Sequence, residues 1–207
     1  MSVASYWGLA AGAVPQDRAD SFIAHLENKN EFNRTHRVPS LSASDKNFVT
    51  TGGYWCGSVW APTTYMVLKG LEKYKKDILA HEIALNHLEN VVGCFEKTGT
   101  VWENYSPDEF AKNSSARGDF VGWTGLVPVA VLFEYVLGIK SDVQNNQIIW
   151  NVNLTERHGI KNYPFGKNGT VDLICEKRKS EEEKPVVHIS GSEADVYIIW
   201  KNGEFRL

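Results

Sequence analysis

The stretch GTVWENYSPDE, residues 99–109, sets a carboxylate among aromatic rings. Glu103 is flanked by Trp102 and, two residues on, Tyr105; Asp108 and Glu109 follow Pro107. Two other segments carry the same mixture of rings and glycines: GGYWCGSVWAP at 52–62 and GDFVGWTG at 118–125. They add Tyr54, Trp55, Trp60, Phe120 and Trp123. Indole and phenol rings offer flat apolar faces with a polar handle. The C–H faces of sugars stack on such surfaces, and their hydroxyls need directional acceptors. Partial desolvation among rings is also a general way of fitting a carboxylate for acid–base work. The chemistry offered is carbohydrate recognition, with Glu103 as the candidate acid or base. Simpler readings stand beside it. A loop Glu can be solvated or cap a helix, and Asp108 and Glu109 suit a helix N-terminus. Asp119 can accept from a sugar hydroxyl or cap its own loop. His36 and His158 read as hydrogen-bonding loop residues, since no second ligand stands at metal spacing.

These segments need elements to hold them. Residues 15–28 predict a helix opened by Pro15, with Phe22, Ile23 and Leu26 on one face. Residues 29–62 predict a long irregular segment, a length usually reserved for binding faces. A helix over about 63–74 carries the stripe Val67, Leu68 and Leu71, and a second over about 77–97 carries Ala84, Leu88, Val91 and Phe95. Their short link makes them an antiparallel hairpin. A further helix follows Gly122 and ends near Gly138. After Lys140 the apolar period changes from 3.6 to 2: Ile148, Trp150, Val152 and Leu154, then Val171, Leu173 and Cys175, then Val196, Ile198 and Trp200. GKNG and KNG are hairpin-turn sequences, and KRKSEEEK at 177–184 reads as an exposed loop tip. The expected organisation is a helical-hairpin region over 1–142 and an antiparallel β unit over 143–207.

Composition limits the function. The formal net charge of −3 provides no basic field for nucleic acid. Three scattered cysteines, Cys56, Cys94 and Cys175, match neither a disulfide framework nor a zinc site. No metal and no cofactor is implied. The N-terminal residues lack the basic start of a signal peptide, and the expected location is cytoplasmic. Residues 120–139 are long and apolar enough to raise a membrane span, but Glu134, Pro128 and internal glycines favour a buried inner helix, and no membrane association is expected.

The order YWxGxxWxP, a helical hairpin, WENYxPD and GDFxGWTGL resembles the six-hairpin glycosidases, the (α/α)6-toroid enzymes. Those include trehalases, glycoside hydrolase family sixty-three and the mannosylglycerate-hydrolase-like enzymes. VASYWGLAAGAVPQDRADSFIAHLEN, FNRTHRVPSLSASDKNF and WNVNLTERHGIKNYPFGKNGTVDL are also similar to that group. The resemblance implies a partial toroid of helical hairpins followed by a small antiparallel sheet. It implies an inverting hydrolase of α-glucosides or α-mannosides, in which an acid and a base stand roughly 6.5–9.5 Å apart across the reacting sugar. Glu103 falls at the family's base. Tyr54, Trp55 and Trp60 line the sugar subsite and Trp123 completes its wall. Apart from the resemblance, hairpin connections gathered on one face would also bring Trp102 and Tyr105 around Glu103, and Asp119 is a candidate acceptor for a sugar hydroxyl.

The departures matter equally. The family's acid is an Asp in a segment resembling SGWDxSP, and these residues contain none. Cys56 stands where relatives carry Arg, and Thr64 where many carry Asn. The sequence therefore reads as the C-terminal part of a longer hydrolase acting on a small saccharide. It would pair with its missing N-terminal part or form a homodimer through apolar surface such as 120–139. Two rivals remain: a carbohydrate-binding remnant without the acid, and a structural helical module that assembles through an open barrel face.

Overall fold

The computed structural model describes residues 1–191 and 193–207. It is mainly helical at its N-terminal side and ends in a β unit, and the chain divides into two units, Met1–Val131 and Leu132–Leu207.

In the first unit a 3-10 turn over Val3–Tyr6 leads into α1, Trp7–Ala11, and then α2, Gln16–Ile23, extended by a 3-10 turn to Glu27. Pro15 caps α2, and Ile23 and Leu26 are buried, while Phe22 stacks on buried Tyr6 at 4.7 Å. Residues 28–60 are almost entirely irregular, as their polar and glycine-rich composition requires. α3, Ala61–Lys73, and α4, Asp77–Thr98, form the expected hairpin. Val67, Leu68 and Leu71 are fully buried. α1 packs on α3 at Gly70, where any Cβ would come within 2.7 Å of the Leu9 Cβ.

On α4 the stripe differs from the expected one. Ala80, Ile83, Ala84, His87, Asn90, Val91 and Cys94 are buried, whereas Phe95 is 49% exposed. The spacing 80, 83, 87, 90, 94 is as helical as the expected one. It is obscured in the sequence because His87 and Asn90 are polar residues sitting in core positions.

The segment after α4 contains no helix until a 3-10 turn at Trp123–Gly125, followed by a π-helix over Val127–Val136. Pro128 removes one N–H near its start, and Leu137 N–H reaches back five residues to the Leu132 carbonyl at 2.8 Å. Val127 and Val131 are buried but Val129 is 67% exposed, so the turn is not apolar-packed on all sides. Among the described residues no helix is long and apolar enough to cross a membrane. With no helix at 107–117, Asp108 is not a helix-terminal charge. Its carboxylate pairs with both Arg34 Nε and Nη2 at 2.9 Å, and Glu109 is exposed.

The second unit holds two sheets. The first has β1 (Ile139–Asp142), β2 (Gln147–Asn151), β6 (Asp195–Trp200) and β7 (Gly203–Arg206) in the order β1-β2-β6-β7. The second is β3 (His158–Phe165), β4 (Gly169–Cys175) and β5 (Val187–Gly191), in chain order. Ile148, Trp150, Val152, Val171, Leu173, Cys175, Val196 and Ile198 form the core, as their alternation predicts. Leu154 and Trp200 are only half-buried. GKNG joins β3 to β4 and KNG joins β6 to β7, both antiparallel. The unit is not wholly antiparallel: β2 pairs β6 in parallel, because the chain crosses through the other sheet between them. The KRKSEEEK segment is exposed except at Arg178, which is 5% exposed. Its guanidinium donates to the carbonyls of Val152, Leu154, Glu181 and Glu183 at 2.8–3.2 Å.

Candidate functional site

Single-residue bridges build the frame of the site. Pro39 pairs Val59, Val59 pairs Tyr105, and Tyr105 pairs Lys112, all antiparallel. Val59 and Tyr105 exchange both backbone hydrogen bonds, at 2.9 and 3.1 Å. This short ladder holds GTVWENY beside GGYWCGSVW. On the other side, Glu103 N–H donates to the Arg117 carbonyl at 2.9 Å and Phe120 N–H to the Val101 carbonyl at 3.2 Å. The three aromatic segments of the sequence are thus neighbours in space.

Glu103 is 7% exposed. Its Oε1 accepts from the Tyr54 hydroxyl at 3.3 Å, and its own carbonyl accepts from Trp123 Nε1 at 3.1 Å. Tyr54 has φ +59°, a left-handed conformation uncommon for a residue with a side chain. The strain is held by contacts on its carbonyl from the Gly57 N–H, from the Ser58 N–H at 3.1 Å, and from Ser40 Oγ and Trp60 Nε1 at 3.4 Å. Desolvation first, then the Glu103 charge and hydrogen bond, push the Tyr54 phenol upward, against a smaller lowering by Arg117. The phenol therefore stays protonated at neutral pH and keeps donating to the carboxylate.

Around this pair the rings form one cluster. Trp55 stacks on Trp60 at 4.2 Å with planes 6° apart. Tyr54 meets Trp60 edge-on at 4.8 Å, Trp123 meets it at 5.6 Å, and Phe120 tilts against Trp123 at 5.4 Å. Trp55 is 50% exposed, Trp123 38% and Tyr54 37%, while Trp60 has no exposed surface. Trp60 is the floor that holds Trp55 flat, not an open sugar face, because its upper face is covered by Trp55.

Three other expected residues are placed differently. Tyr105 is fully buried with Ala61, Val91, Cys94 and Val127, and its hydroxyl accepts from the Trp102 N–H at 3.1 Å. It rivets the loop to α3 and α4. Trp102 is half-buried. Lys112 Nζ stands 4.7 Å over its ring, Gly118 approaches it, and its indole N–H donates to Thr98 Oγ1 at 2.9 Å. Asp119 Oδ1 bonds Thr100 Oγ1 at 2.5 Å and its N–H donates back to that hydroxyl at 3.0 Å, which closes the loop at a residue with φ +51°. This is the loop-capping reading of Asp119.

Arg117 and Thr124 are not legible in the sequence as site residues. Arg117 is the charged neighbour of the Tyr54–Glu103 pair, and buried Thr124 donates to the Trp102 carbonyl at 2.6 Å. GDFVGWTG carries Thr124 in plain view, but a hydroxyl next to Trp gives no directional signal. His36 is the hydrogen-bonding loop residue expected, with Nδ1 2.9 Å from the Ser106 carbonyl.

The mannosylglycerate hydrolase MGH1-like glycoside hydrolase domain matches residues 1–124, the span that builds this frame and most of its ring cluster. The chain belongs to this family. A protein of Borreliella burgdorferi with no assigned function is 26% identical over 190 residues, covering 86% of this chain and 40% of its own length. A probable mannosyl-oligosaccharide glucosidase of Schizosaccharomyces pombe is 31% identical over 130 residues, covering 56% of this chain and 16% of its own length. A solved structure of an uncharacterized conserved protein from Thermus thermophilus superposes with a TM-score of 0.51 and 26% identity, over 61% of this chain and 30% of the other. This member of the MGH1-like family therefore spans less than half the length of each of these relatives.

Proposed function

We propose that the chain carries the base-bearing side of a glycoside hydrolase site, acting on an α-linked glucoside or mannoside. Glu103 is the general base, Trp55 and Trp123 are the open sugar faces, and Tyr54 orients the carboxylate. The observation that carries this reading is the Tyr54–Glu103 hydrogen bond at the edge of an exposed indole cluster. Membership of a glycoside hydrolase family and likeness to a mannosyl-oligosaccharide glucosidase support it.

In this reading a sugar stacks on Trp55, which Trp60 keeps flat. Water lies against the Glu103 carboxylate, which removes its proton as the water attacks the anomeric carbon. The Tyr54 hydroxyl leaves one carboxylate oxygen committed and the other directed at the water. A second carboxyl group, in its protonated form, gives its proton to the leaving oxygen as the glycosidic C–O bond breaks. Asp119 does not serve, since it is bonded into its own loop.

That bonding also favours a second reading, a saccharide-binding module without turnover. One experiment covers both. Hydrolysis of aryl α-glucosides and α-mannosides is assayed alongside tryptophan quenching by the free sugars, in the wild type, Glu103→Gln and Trp55→Ala. Turnover abolished by Glu103→Gln with quenching retained supports the hydrolase. Quenching lost in Trp55→Ala, with no turnover in any form, supports the binding module. Turnover that survives Glu103→Gln removes Glu103 as base.

A further inference from the structure

Behind the Glu103 strand lies a group of buried polar atoms that the sugar reading does not use. Asn104 has no exposed surface, and neither Nδ2 nor Oδ1 meets a hydrogen-bond partner among the described residues. Asn113 is 1% exposed. Its Oδ1 accepts from Ser114 Oγ at 3.3 Å and from the Ser115 N–H at 3.5 Å, while Nδ2 has no partner among the described residues. Ser58 has no exposed surface and its Oγ is likewise unpartnered.

Asn104 and Asn113 oppose each other one residue beyond the antiparallel Tyr105–Lys112 bridge, whereas the Val59–Tyr105 bridge sets Ser58 opposite Ser106. Ser58 joins the group through Asn113. Gly52 closes the group. A Cβ there would stand 2.6 Å from Ser58 Oγ and 3.3 Å from Asn113 Cβ, so Gly52 sits against both and a side chain at this position would push them apart. Gly52 also has φ +111°, where a side chain is disfavoured.

Buried amides are almost always hydrogen-bonded, and a buried water typically makes about three hydrogen bonds to such groups. The inventory here suits water. Asn104 and Asn113 each present N–H donors, Asn104 Oδ1 is an acceptor, and the Ser58 hydroxyl serves as either. A water accepts from the amides and donates to Asn104 Oδ1 and Ser58 Oγ. No ionised group is among the three, so a charged ligand has no counterpart.

We propose that Ser58, Asn104 and Asn113 enclose an internal water site that ties the loop carrying Tyr54 to the strand carrying Glu103. The site is a positioning device: Ser58 N–H already holds the strained Tyr54 carbonyl, and Asn104 follows Glu103 directly. The water would occupy this site whether or not a sugar binds at Trp55.

The test uses the whole chain with asparagine side chains labelled with nitrogen-15. Rotating-frame water–amide cross-peaks are recorded at the Asn104 and Asn113 Nδ2 protons. Oxygen-17 relaxation dispersion is then compared for the wild type, Asn104→Leu and Ser58→Ala. The expected result is bound-water cross-peaks at both amides and loss of about one long-lived water in each folded variant. Amides without water cross-peaks, or a dispersion unchanged in folded Asn104→Leu, overturn the proposal. If Asn104→Leu does not fold, the wild-type cross-peaks decide alone.

Discussion

Acid should loosen α4 before it loosens the β unit, and His87 sets the amount. His87 is 1% exposed, neither ring nitrogen has a partner among the described residues, and burial lowers it from 6.5 to about 4, with the neighbouring His36 charge acting in the same direction. A histidine lowered in the folded state gives stability that is complete above the unfolded value. That stability is lost as pH falls from 6.5 towards 4, because the unfolded chain takes up the proton first. At pH 5 the unfolded imidazole is almost fully protonated and the folded one about a tenth, which costs about 2 kcal/mol relative to pH 7. Below pH 4 the loss levels off at about 3 kcal/mol. His36 is lowered too, by burial first, against the Ser106 carbonyl and Asp108, with Lys97 adding to the lowering, and it contributes in the same window.

The variant is His87→Leu, which fills the volume without a titrating group. Removing unpartnered buried nitrogens should leave stability at pH 7 within about 1 kcal/mol of the wild type. The assay is hydrogen exchange of α4 peptides under increasing urea at pH 7 and pH 5, which reports this hairpin without assuming that both units unfold together. The wild type should lose about 2 kcal/mol more than His87→Leu between the two pH values. An equal loss in both proteins refutes the reasoning, since it would mean that His87 is protonated alike in the folded and unfolded chain.

Trp60→Ala should cost about 4 kcal/mol in the first unit and abolish sugar quenching through collapse of Trp55, whereas Trp55→Ala should cost under about 1 kcal/mol; urea unfolding with sugar titration separates them. Arg178→Ala strands the four carbonyls its guanidinium holds and should destabilise the β unit by about 3 kcal/mol, with Arg178→Lys recovering less than half because one ammonium cannot span them; exchange at β2 and β4 peptides measures both. Glu103→Gln should lower the Tyr54 phenol towards its ordinary value, because the charge and the hydrogen bond both raise it; phenolate absorbance of the wild type minus Tyr54→Phe, in both backgrounds, isolates the residue.

The parts legible in the sequence are those in which a period and a burial direction agree. Val67, Leu68 and Leu71, or Val171, Leu173 and Cys175, have nowhere to go but a core. Phe95 fails this test because the α4 stripe is partly polar: His87 and Asn90 occupy positions that apolar residues normally mark. Pairing direction between distant strands is not legible either, since alternation at 147–154 and 195–200 is the same whether the two run parallel or antiparallel. At the site, the sequence names the rings and the carboxylate but cannot divide platform from support. Trp55 and Trp60 are chemically alike, and only the packing, with Trp60 buried under Trp55 and between Tyr54 and Trp123, assigns the open face to Trp55.

The same division explains why GTVWENYSPDE carries so many large residues. Three consecutive demands fall on it. Trp102 braces the outside of the loop against Lys112 and Thr98, Glu103 faces Tyr54, and Tyr105 anchors the strand into α3 and α4. In the proposed role Glu103 must stay put while its charge changes, and a loop alone cannot hold it against the conformational entropy of free backbone. Here the fixing comes from a ladder one residue wide, with Tyr105 at its centre and no regular strand on either side. Loss of Tyr105 should therefore move Glu103 without touching it. Tyr105→Phe keeps the core ring but removes the acceptor for the Trp102 N–H, and Tyr105→Ala removes both. Glu103 function should fall modestly in the first and collapse with the fold of the first unit in the second, a graded pair that a freely solvated Glu103 would not produce.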